Sequence, residues 1–390
     1  MSSEGPVDVA VVGGGLVGAC VAYELACAGA SVALIDASLP GRASDAGAGI
    51  ISPETFAEPD EAWFEFGAAA GRHLRSLVAR LAADGVDTGP DAFAECGSLV
   101  VALAEHEEPW FTAIRALVTA RSPDITEVSV DDARALFPPL GRPWRALLSP
   151  SAARLDGRGM CVAVREAAAR RGVTLVSMEA TGVDRHDDRV TAVRGATEVV
   201  SCGALVVAGG AWSGGATQWL GADLPVTPTK GQIVHVVLPG QRSHSDGAGP
   251  GGTATDSGGW PIVQPILNFY LVPWPGGRVA CGGTFEPEAG FDVRPTVAGV
   301  RDLLRECVAI APGLGDATVT EVRVGIRPTS IDDRPLLGPV PAFANVHVCT
   351  GHGANGLLLG PYSAALVAAR LTGTASDAPV PYGVTRFAPS

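Results

Sequence analysis

The sequence predicts an α/β protein whose main sheet has parallel strands with helices packed on its faces. Near the start of the chain, a β-branched apolar run at Val7–Val12 precedes a helical pattern at Leu16–Ala28 and a second apolar run at Ser31–Ile35. A similar run at Ala204–Ala208 also ends in glycines. Strands that alternate with helices in this way form parallel sheets with glycine turns at the carboxyl ends of the strands.

The turn after the first strand has the spacing of a dinucleotide-binding unit. Three glycines follow the pattern G-x-G-x-x-G: Gly13, Gly15 and Gly18. The first permits a tight turn, the second lets a pyrophosphate approach the backbone, and the third lets helix and strand pack closely. The helix that begins at Leu16 would offer N–H groups to phosphates, and the carboxylate of Asp36, followed by Ala37, lies where a ribose-binding acid is expected. A glycine turn without a ligand is the alternative.

Composition excludes several classes of protein. The chain has 390 residues, of which 47% are hydrophobic and 18% are charged, which suffices for one large domain or two lobes. No apolar run is long enough to span a membrane, and the first residues lack a basic signal region, so we expect a cytoplasmic protein. Eight cysteines without a C-x-x-C pair predict neither a metal site nor disulfides. The formal net charge of −13 argues against nucleic acid or an anionic membrane as a partner.

The remaining segments alternate between helical and strand patterns. Predicted helices cover 60–83, 131–136, 159–171, 300–310 and a last helix to about 371 with Pro361 in its first turn; predicted strands cover 94–104, 173–177, 231–238, 270–273, 278–282 and 346–350. A hairpin is predicted over 183–200 with its turn at Asp187–Asp188. Residues 41–54 are rich in small side chains and predict no regular element. The glycine- and serine-rich segment 243–260 predicts either a lid or a passive surface insertion.

Five segments occur in a characteristic order: GGGLVG with the following ID, RASDAGAGIISPE, VVAGGAWS, GIRPTSIDDRPLLG and TGHGANGLLLGP. Together they resemble the FAD-dependent D-amino-acid oxidase superfamily, and its glycine oxidase-like subgroup in particular. The resemblance covers nearly the whole chain. It implies a Rossmann-type FAD-binding domain (1–85, 145–220 and 320–390) interleaved with a substrate domain (86–144 and 221–319) on a mixed or antiparallel sheet. The implied reaction is oxidation of an amine C–N bond, with FAD taking a hydride.

The resemblance also implies which residues contact FAD. The glycine turn would hold the pyrophosphate, Asp36 the adenosine ribose, and the backbone of Val183 the adenine. Other implied contacts are Ala43, Ser44, Ala48, Gly49 and Ile50 along the flavin, Ala208, Gly209 and Trp212 near the cofactor, and His352, Gly353, Asn355, Gly356, Leu357 and Leu358 over the flavin ring. N–H groups in this last loop would stabilise negative charge on the reduced ring. Packing for Trp212 and a structural role for His352 are the alternatives.

Two residues match the substrate-binding positions of the family. Arg327, in GIRP, matches the arginine that grips the substrate carboxylate, and Tyr270, in NFYLVP, matches a tyrosine that hydrogen-bonds to it. A guanidinium offers a planar fork to a carboxylate and stays charged when partly buried. Without the resemblance, Arg327 would be a surface ion-pair partner and Tyr270 a core residue. Asp332 is expected to have a structural role.

Three positions depart from the family pattern. Ala354 stands where glycine oxidases carry a second arginine, so we expect a roomier or less cationic pocket, which puts glycine in doubt as the substrate. Ala280 stands where sarcosine oxidase-type members carry an oxygen-activating lysine. Ile326 lies close to the position of their FAD-linking cysteine, and residues 41–54 contain no histidine. We therefore predict non-covalent FAD.

The sequence thus predicts an FAD-dependent amino acid or amine oxidase, or a flavin dehydrogenase, that acts on a small amine or amino acid. Dioxygen or another acceptor would take the electrons, and a homo-oligomer is left open. An NAD-type dehydrogenase that uses only the first strand–helix–strand unit would leave the segment GHGANG unexplained. A non-catalytic flavin-binding partner subunit is the third alternative, against which Arg327 and Tyr270 argue.

Overall fold

The computed structural model describes residues 5–89, 92–239, 257–266, 269–374 and 382–387. In these ranges the strands are β1 Val7–Val12, β2 Val32–Asp36, β3 Ile50–Ile51, β4 Phe93–Glu95, β5 Ser98–Ala102, β6 Thr126–Val128, β7 Arg145–Ser149, β8 Ala153–Leu155, β9 Thr174–Ser177, β10 Gly182–His186, β11 Arg189–Arg194, β12 Val199–Val207, β13 Val226–Val237, β14 Ile262–Pro265, β15 Tyr270–Trp274, β16 Arg278–Gly282, β17 Thr318–Ser330, β18 Leu336–Pro339 and β19 Val346–Thr350. The helices are α1 Leu16–Cys27, α2 Ala43–Ala46, α3 Glu61–Ala83, α4 Glu108–Arg121, α5 Val130–Leu136, α6 Gly157–Arg170, α7 Ala216–Leu220, α8 Val297–Ile310 and α9 Gly356–Leu371.

The first sheet has a parallel core in the order β19-β12-β1-β2-β9, extended by β18 next to β19 and by the β10–β11 hairpin on β12. Its central strands are continuous apolar runs because both of their faces are buried. Val9 and Val11 point toward α1, α3, α6 and α9, whereas Ala10 and Ile35 point into a second core on the other face. This is the Rossmann-type architecture that the sequence predicts, and the prediction is confirmed.

The second sheet runs β17-β13-β16-β15-β14-β5-β7-β6, and only the β14–β5 pair is parallel. Helix α8 covers one face, where Val234, Leu271 and Cys281 pack against it. The opposite face carries Tyr270 and packs against Ile50 of a small third sheet, β3-β8-β4. The second sheet is mixed, as predicted.

Polar side chains set the starts of several helices. Their carboxylate or hydroxyl oxygens accept a backbone N–H two or three residues further on, at Asp60, Ser129, Asp156 and Thr296. No helix in the described ranges has the length and apolar character needed to cross a membrane.

Several sequence-based boundaries were wrong. Residues 41–54 contain α2, β3 and a 3-10 turn at Pro53–Thr55, because small side chains let α2 pack tightly on β17: a Cβ added at Gly325 would lie 2.8 Å from Ala46 Cβ. The last helix begins at Gly356, so Pro361 lies inside it. The run 94–104 forms two strands, and β17 and α4 were not predicted. Of the predicted lid, residues 243–256 lie outside the described residues.

The division into two interleaved domains stays a prediction. The structure pairs β7 and β17 within the second sheet, although the boundaries at 145 and 320 put them with the FAD-binding segments. Strand pairing therefore favours later boundaries, after β7 and after β17.

Candidate active site

Close packing explains two of the three glycines in the β1–α1 turn. Gly13 has a φ of +110°, and a Cβ there would lie 2.3 Å from the carbonyl oxygen of Ala208. A Cβ at Gly18 would lie 1.8 Å from the carbonyl oxygen of Gly13. Gly15 is the N-cap of α1 and has no side chain with which to cap it, and the first turn of α1 carries no acidic residue. The helix N-terminus therefore keeps its partial positive charge at the turn.

The carboxylate of Asp36 joins the glycine turn to two arginines. Its Oδ1 accepts the N–H of Gly14 at 3.1 Å, and its Oδ2 accepts hydrogen bonds from Arg165 at 2.7 Å and Arg42 at 3.0 Å. Burial opposes ionisation, but hydrogen bonds from Arg165 and Gly14 and the charge of Arg42 hold the pKa of Asp36 below its usual value. Asp36, with Ala37 after it, thus presents an ionised group at the end of β2, and its contact with the ribose stays a prediction.

Arg42 and Arg165 were missed as site residues by the sequence reasoning. Arg165 also donates to the carbonyl oxygen of Gly14 at 2.9 Å, so α6 reaches the nucleotide turn through this side chain. The available signal was its spacing: Arg165 follows the buried Cys161 by one helical turn and so lies on the inward face of α6.

The segment from Ala43 to Ile50 runs from the glycine turn to the second sheet. Ser44 Oγ accepts the N–H of Leu16 at 3.0 Å. Gly49 has a φ of +89°, and a Cβ there would lie 2.2 Å from the carbonyl oxygen of Leu155. Ala48 and Ile50 then pack in the cluster that contains Tyr270. One continuous segment therefore connects the glycine turn with the cluster that contains Tyr270.

The end of β12 meets the same turn. The N–H of Ala208 donates to the carbonyl oxygen of Val12 at 2.8 Å, which brings Ala208 and Gly209 next to Gly13. The ring of Trp212 stacks on Phe291 with 5.2 Å between ring centroids, as the packing alternative expects. Val183, on the hairpin, packs against the core that contains Ile35. FAD contacts of Trp212 and Val183 stay predictions.

The C-terminal loop lies beside the strand that carries Arg327. His352 forms a β-bridge with Thr329, and a 3-10 turn at Gly353–Asn355 leads into α9 at Gly356. His352 is 3% exposed, and neither ring nitrogen has a hydrogen-bond partner in the described part of the chain. Burial lowers its pKa to about 4, so the imidazole is neutral near pH 7.

The first residues of α9 anchor this loop. A Cβ at Gly47 would lie 2.7 Å from Leu357 Cδ1, and one at Gly157 2.8 Å from Leu357 Cδ2. Leu358 is buried in the core of the first sheet. The first turn of α9 therefore packs against the end of α2 and the start of α6.

The structure brings Arg327 and Tyr270 together from different strands. The guanidinium donates to the carbonyl oxygen of Thr284 at 3.0 Å and crosses Gly231, where a Cβ would lie 2.2 Å from Nη1. The hydroxyl oxygen of Tyr270 lies over Gly283: a Cβ added at Gly283 would lie 2.7 Å from it. Burial raises the pKa of Tyr270 to about 12, although the charge of Arg327 opposes this. The phenol is therefore a neutral donor beside a cation.

A buried polar network supports the strand under Arg327. Thr284 Oγ1 accepts the N–H of Gln232 at 2.9 Å and donates to Glu286 Oε1 at 2.5 Å. Gln232 Nε2 donates to Glu286 Oε1 at 2.6 Å, and Lys230 Nζ lies 3.5 Å from Glu286 Oε2. These contacts hold Thr284, whose carbonyl orients Arg327. Sequence reasoning missed this network because its members are polar residues far apart in the chain.

Residues 8–370 match the model of the FAD dependent oxidoreductase family, and the chain belongs to that family. It is 32% identical over 374 residues to the uncharacterized oxidoreductase YurR of Bacillus subtilis strain 168, covering 94% of this chain and 95% of that protein. It is 30% identical over 373 residues to a glycine oxidase of Pseudomonas putida KT2440, covering 94% of each. The crystal structure of iminodiacetate oxidase (IdaA) from Chelativorans sp. BNC1 matches with a TM-score of 0.87 and 32% identity, covering 96% of this chain and 98% of that one.

The protein is thus an FAD-dependent oxidoreductase, and its residues fit that cofactor. The packed glycines leave bare backbone beside the N-terminus of α1, whose first turn carries no acidic residue, as a pyrophosphate requires. The buried ring nitrogens of His352 lack partners among the described residues, so they are available to a polar ring edge. The resemblance to a glycine oxidase-like subgroup is confirmed by these comparisons.

Proposed function

We propose that the protein oxidises the C–N bond of an amino acid or related carboxylated amine to an imine, by hydride transfer to N5 of FAD. The pair formed by Arg327 and Tyr270 supports this proposal. Arg327 bonds to the carbonyl oxygens of Thr284 and Lys230, and no described carboxylate lies within 4 Å of it. A guanidinium and a protonated phenol side by side are both donors, and their natural complement is a carboxylate.

In this proposal the chain's own residues bind and orient the substrate. Arg327 takes the carboxylate with two parallel N–H groups, and Tyr270 adds a third hydrogen bond. This fixes the Cα–H of the substrate in one direction, which is catalysis by positioning. FAD, when bound, supplies the hydride acceptor. Backbone N–H groups at the start of α9 and the neutral His352 would stabilise the charge that the cofactor gains.

The names of the relatives suggest a narrower substrate class. Glycine and iminodiacetate share one chemical unit, a carboxymethyl group on nitrogen, and relatives named as oxidases of each resemble this chain. Ala354 replaces the second arginine that the resemblance expects, so the pocket accommodates more than glycine. We therefore include N-substituted glycines in the proposed substrates. FAD is held without a covalent bond, and dioxygen or another acceptor reoxidises it.

Anaerobic reduction of the flavin tests the proposal directly. The purified yellow protein is mixed with glycine, sarcosine, iminodiacetate, cyclic imino acids and D- and L-amino acids, and the visible absorbance of oxidised flavin is followed. We expect carboxylated amines to bleach the flavin, and peroxide measured in air then separates an oxidase from a dehydrogenase. A flavoprotein that none of these amines reduces would contradict the proposal and favour a non-catalytic partner subunit.

A further inference from the structure

Two buried cysteines meet on the face of the second sheet that α8 covers. Cys281 lies in β16 and Cys307 in α8, and their Sγ atoms are 3.2 Å apart. Both are free thiols, 0% and 1% exposed. A disulfide needs about 2.0 Å between the two sulfur atoms, so an approach of about 1.2 Å would join the helix to the strand. The pair therefore stands where one covalent bond can link α8 to the second sheet.

The two thiols are not equivalent as nucleophiles. The S–H of Cys281 donates to the sulfur of Cys307, and this hydrogen bond lowers the pKa of Cys307 although burial opposes it. The same hydrogen bond, together with burial, raises the pKa of Cys281. A thiolate, rather than a thiol, attacks an oxidant. Cys307 is therefore the first of the two to react, and Cys281 is the neighbour that can then displace the oxidised group.

Oxidant access comes from the way in which α8 is attached. Its buried side chains are Leu303, Cys307 and Ile310, at positions i, i+4 and i+7, which form one narrow stripe. Val297 and Val308 of the same helix are 88% and 42% exposed. A surface helix with a single apolar stripe can open locally at a lower free energy than the whole protein unfolds. A molecule as small as hydrogen peroxide then reaches Cys307.

We propose that Cys281 and Cys307 are a peroxide-sensitive dithiol, which closes to a reversible disulfide between β16 and α8. The Cys307 thiolate attacks one oxygen of hydrogen peroxide: an S–O bond forms, the O–O bond breaks, and the leaving hydroxide takes up a proton to give water. The sulfur of Cys281 then attacks that of Cys307: the S–S bond forms, the S–O bond breaks, and a second water leaves with the Cys281 proton. Two thiols are oxidised, and one peroxide is reduced to two waters.

The disulfide would hold α8 on the sheet that carries the proposed substrate site. Thr296, the N-cap of α8, donates its N–H to the side chain of Gln232, and Gln232 donates its own N–H to Thr284. Thr284 in turn accepts a hydrogen bond from Arg327 through its carbonyl oxygen. A bond at Cys307, near the other end of α8, keeps this helix docked when peroxide is present. Dioxygen that reoxidises the flavin would yield peroxide at this protein, yet the dithiol chemistry is independent of the proposed function, because added peroxide serves equally.

Peptide mapping of the wild-type holoenzyme after oxidation tests the inference. The protein is treated with excess hydrogen peroxide, its free thiols are alkylated under denaturing conditions, and a digest is searched by mass spectrometry for cross-linked peptides. We expect one peptide pair that joins Cys281 to Cys307, lighter by two hydrogen atoms than the sum of the reduced peptides and absent after treatment with dithiothreitol. Because the two residues are 26 apart in the chain, closing this loop should also raise the midpoint of thermal unfolding by about 5 °C.

Three variants control the experiment. Cys281→Ala and Cys307→Ala each remove one partner without adding a polar group to the core, so peroxide should no longer raise their unfolding midpoints. Cys202→Ala is the matched control, because Cys202 is a buried cysteine of β12 in the first sheet, and the link should form in this variant as in the wild type. The wild-type peptide map carries the test if an alanine variant fails to fold.

Oxidation of the exposed Cys27 is the internal measure that peroxide has acted. The inference is overturned if Cys281 and Cys307 both remain open to alkylation once Cys27 is oxidised, or if Cys307 is recovered as a sulfinic or sulfonic acid without the link. A link that leaves the unfolding midpoint unchanged would contradict its role in holding α8. A link in a protein whose flavin no amine reduces would instead contradict the proposed function and leave the dithiol standing.

Discussion

Gly231 lies under the guanidinium of Arg327. A substitution there tests whether Arg327 binds the substrate carboxylate while Arg327 itself stays unchanged. In Gly231→Ala the new Cβ would lie 2.2 Å from Arg327 Nη1, whereas ordinary contacts begin at 3.4 Å. The guanidinium must therefore move by the difference, about 1.2 Å, because it is the flexible end of a side chain and Gly231 is strand backbone. Misplacement of a positioning group by about 1 Å can cost about 100-fold in rate, or about 2.7 kcal/mol of transition-state stabilisation.

Steady-state kinetics and flavin spectra measure this effect separately from folding. With the best substrate of the amine panel, we expect kcat/KM of Gly231→Ala to fall by about 100-fold. The affinity for acetate should fall in parallel, while FAD affinity stays within about twofold of the wild type, since Gly231 lies in the second sheet, away from the glycine turn. Gly215→Ala is the matched control, because a Cβ there meets nothing within 4 Å.

Unchanged kcat/KM and acetate affinity in Gly231→Ala would refute the reasoning, because a displaced guanidinium could not hold the same carboxylate. Equal losses of FAD affinity and of activity would also refute it, since the substitution would then act on the whole fold.

Three other variants extend the test. Arg327→Ala should weaken the binding of a carboxylated substrate by about 2–5 kcal/mol, seen as a raised KM, while FAD remains bound. An unchanged KM would contradict the assignment of Arg327 to the substrate carboxylate. Arg165→Gln should weaken FAD binding by about tenfold, because its contacts with Asp36 at 2.7 Å and with Gly14 are lost. Flavin fluorescence on titration measures this, and Arg170→Gln, an exposed arginine of the same helix, should bind FAD normally. Burial lowers the pKa of His352 from 6.5 to about 4, so its contribution to stability is complete above pH 6.5 and is lost as pH falls toward 4. At pH 5 this loss is about 2 kcal/mol, and urea unfolding of His352→Asn should show a correspondingly flatter pH dependence.

Local spacing was enough to predict the nucleotide-binding half of the protein. The strand, glycine turn, helix and acid from Val7 to Asp36 interact with near neighbours in the chain, so periodicity and turn chemistry specify them. The hairpin around Asp187–Asp188 and the strand Val346–Thr350 were predicted for the same reason. By contrast, β17 was missed, because its residues alternate weakly and gain their strand conformation from pairing with β13 along its length.

The sequence by itself therefore determined the dinucleotide turn and, through its ordered motifs, the family of the protein. The ordered motifs also assigned Arg327 and Tyr270 to one carboxylate, and the structure brings their side chains together. Only the tertiary structure placed Arg42 and Arg165 on the carboxylate of Asp36, and the polar network of Gln232 and Glu286 around Thr284. The physical reason is that these contacts depend on strand order, register and the placement of helices on the sheets. Hydrophobic periodicity along one segment shows which face is buried, but it carries no information about the side chain that arrives there from a distant strand.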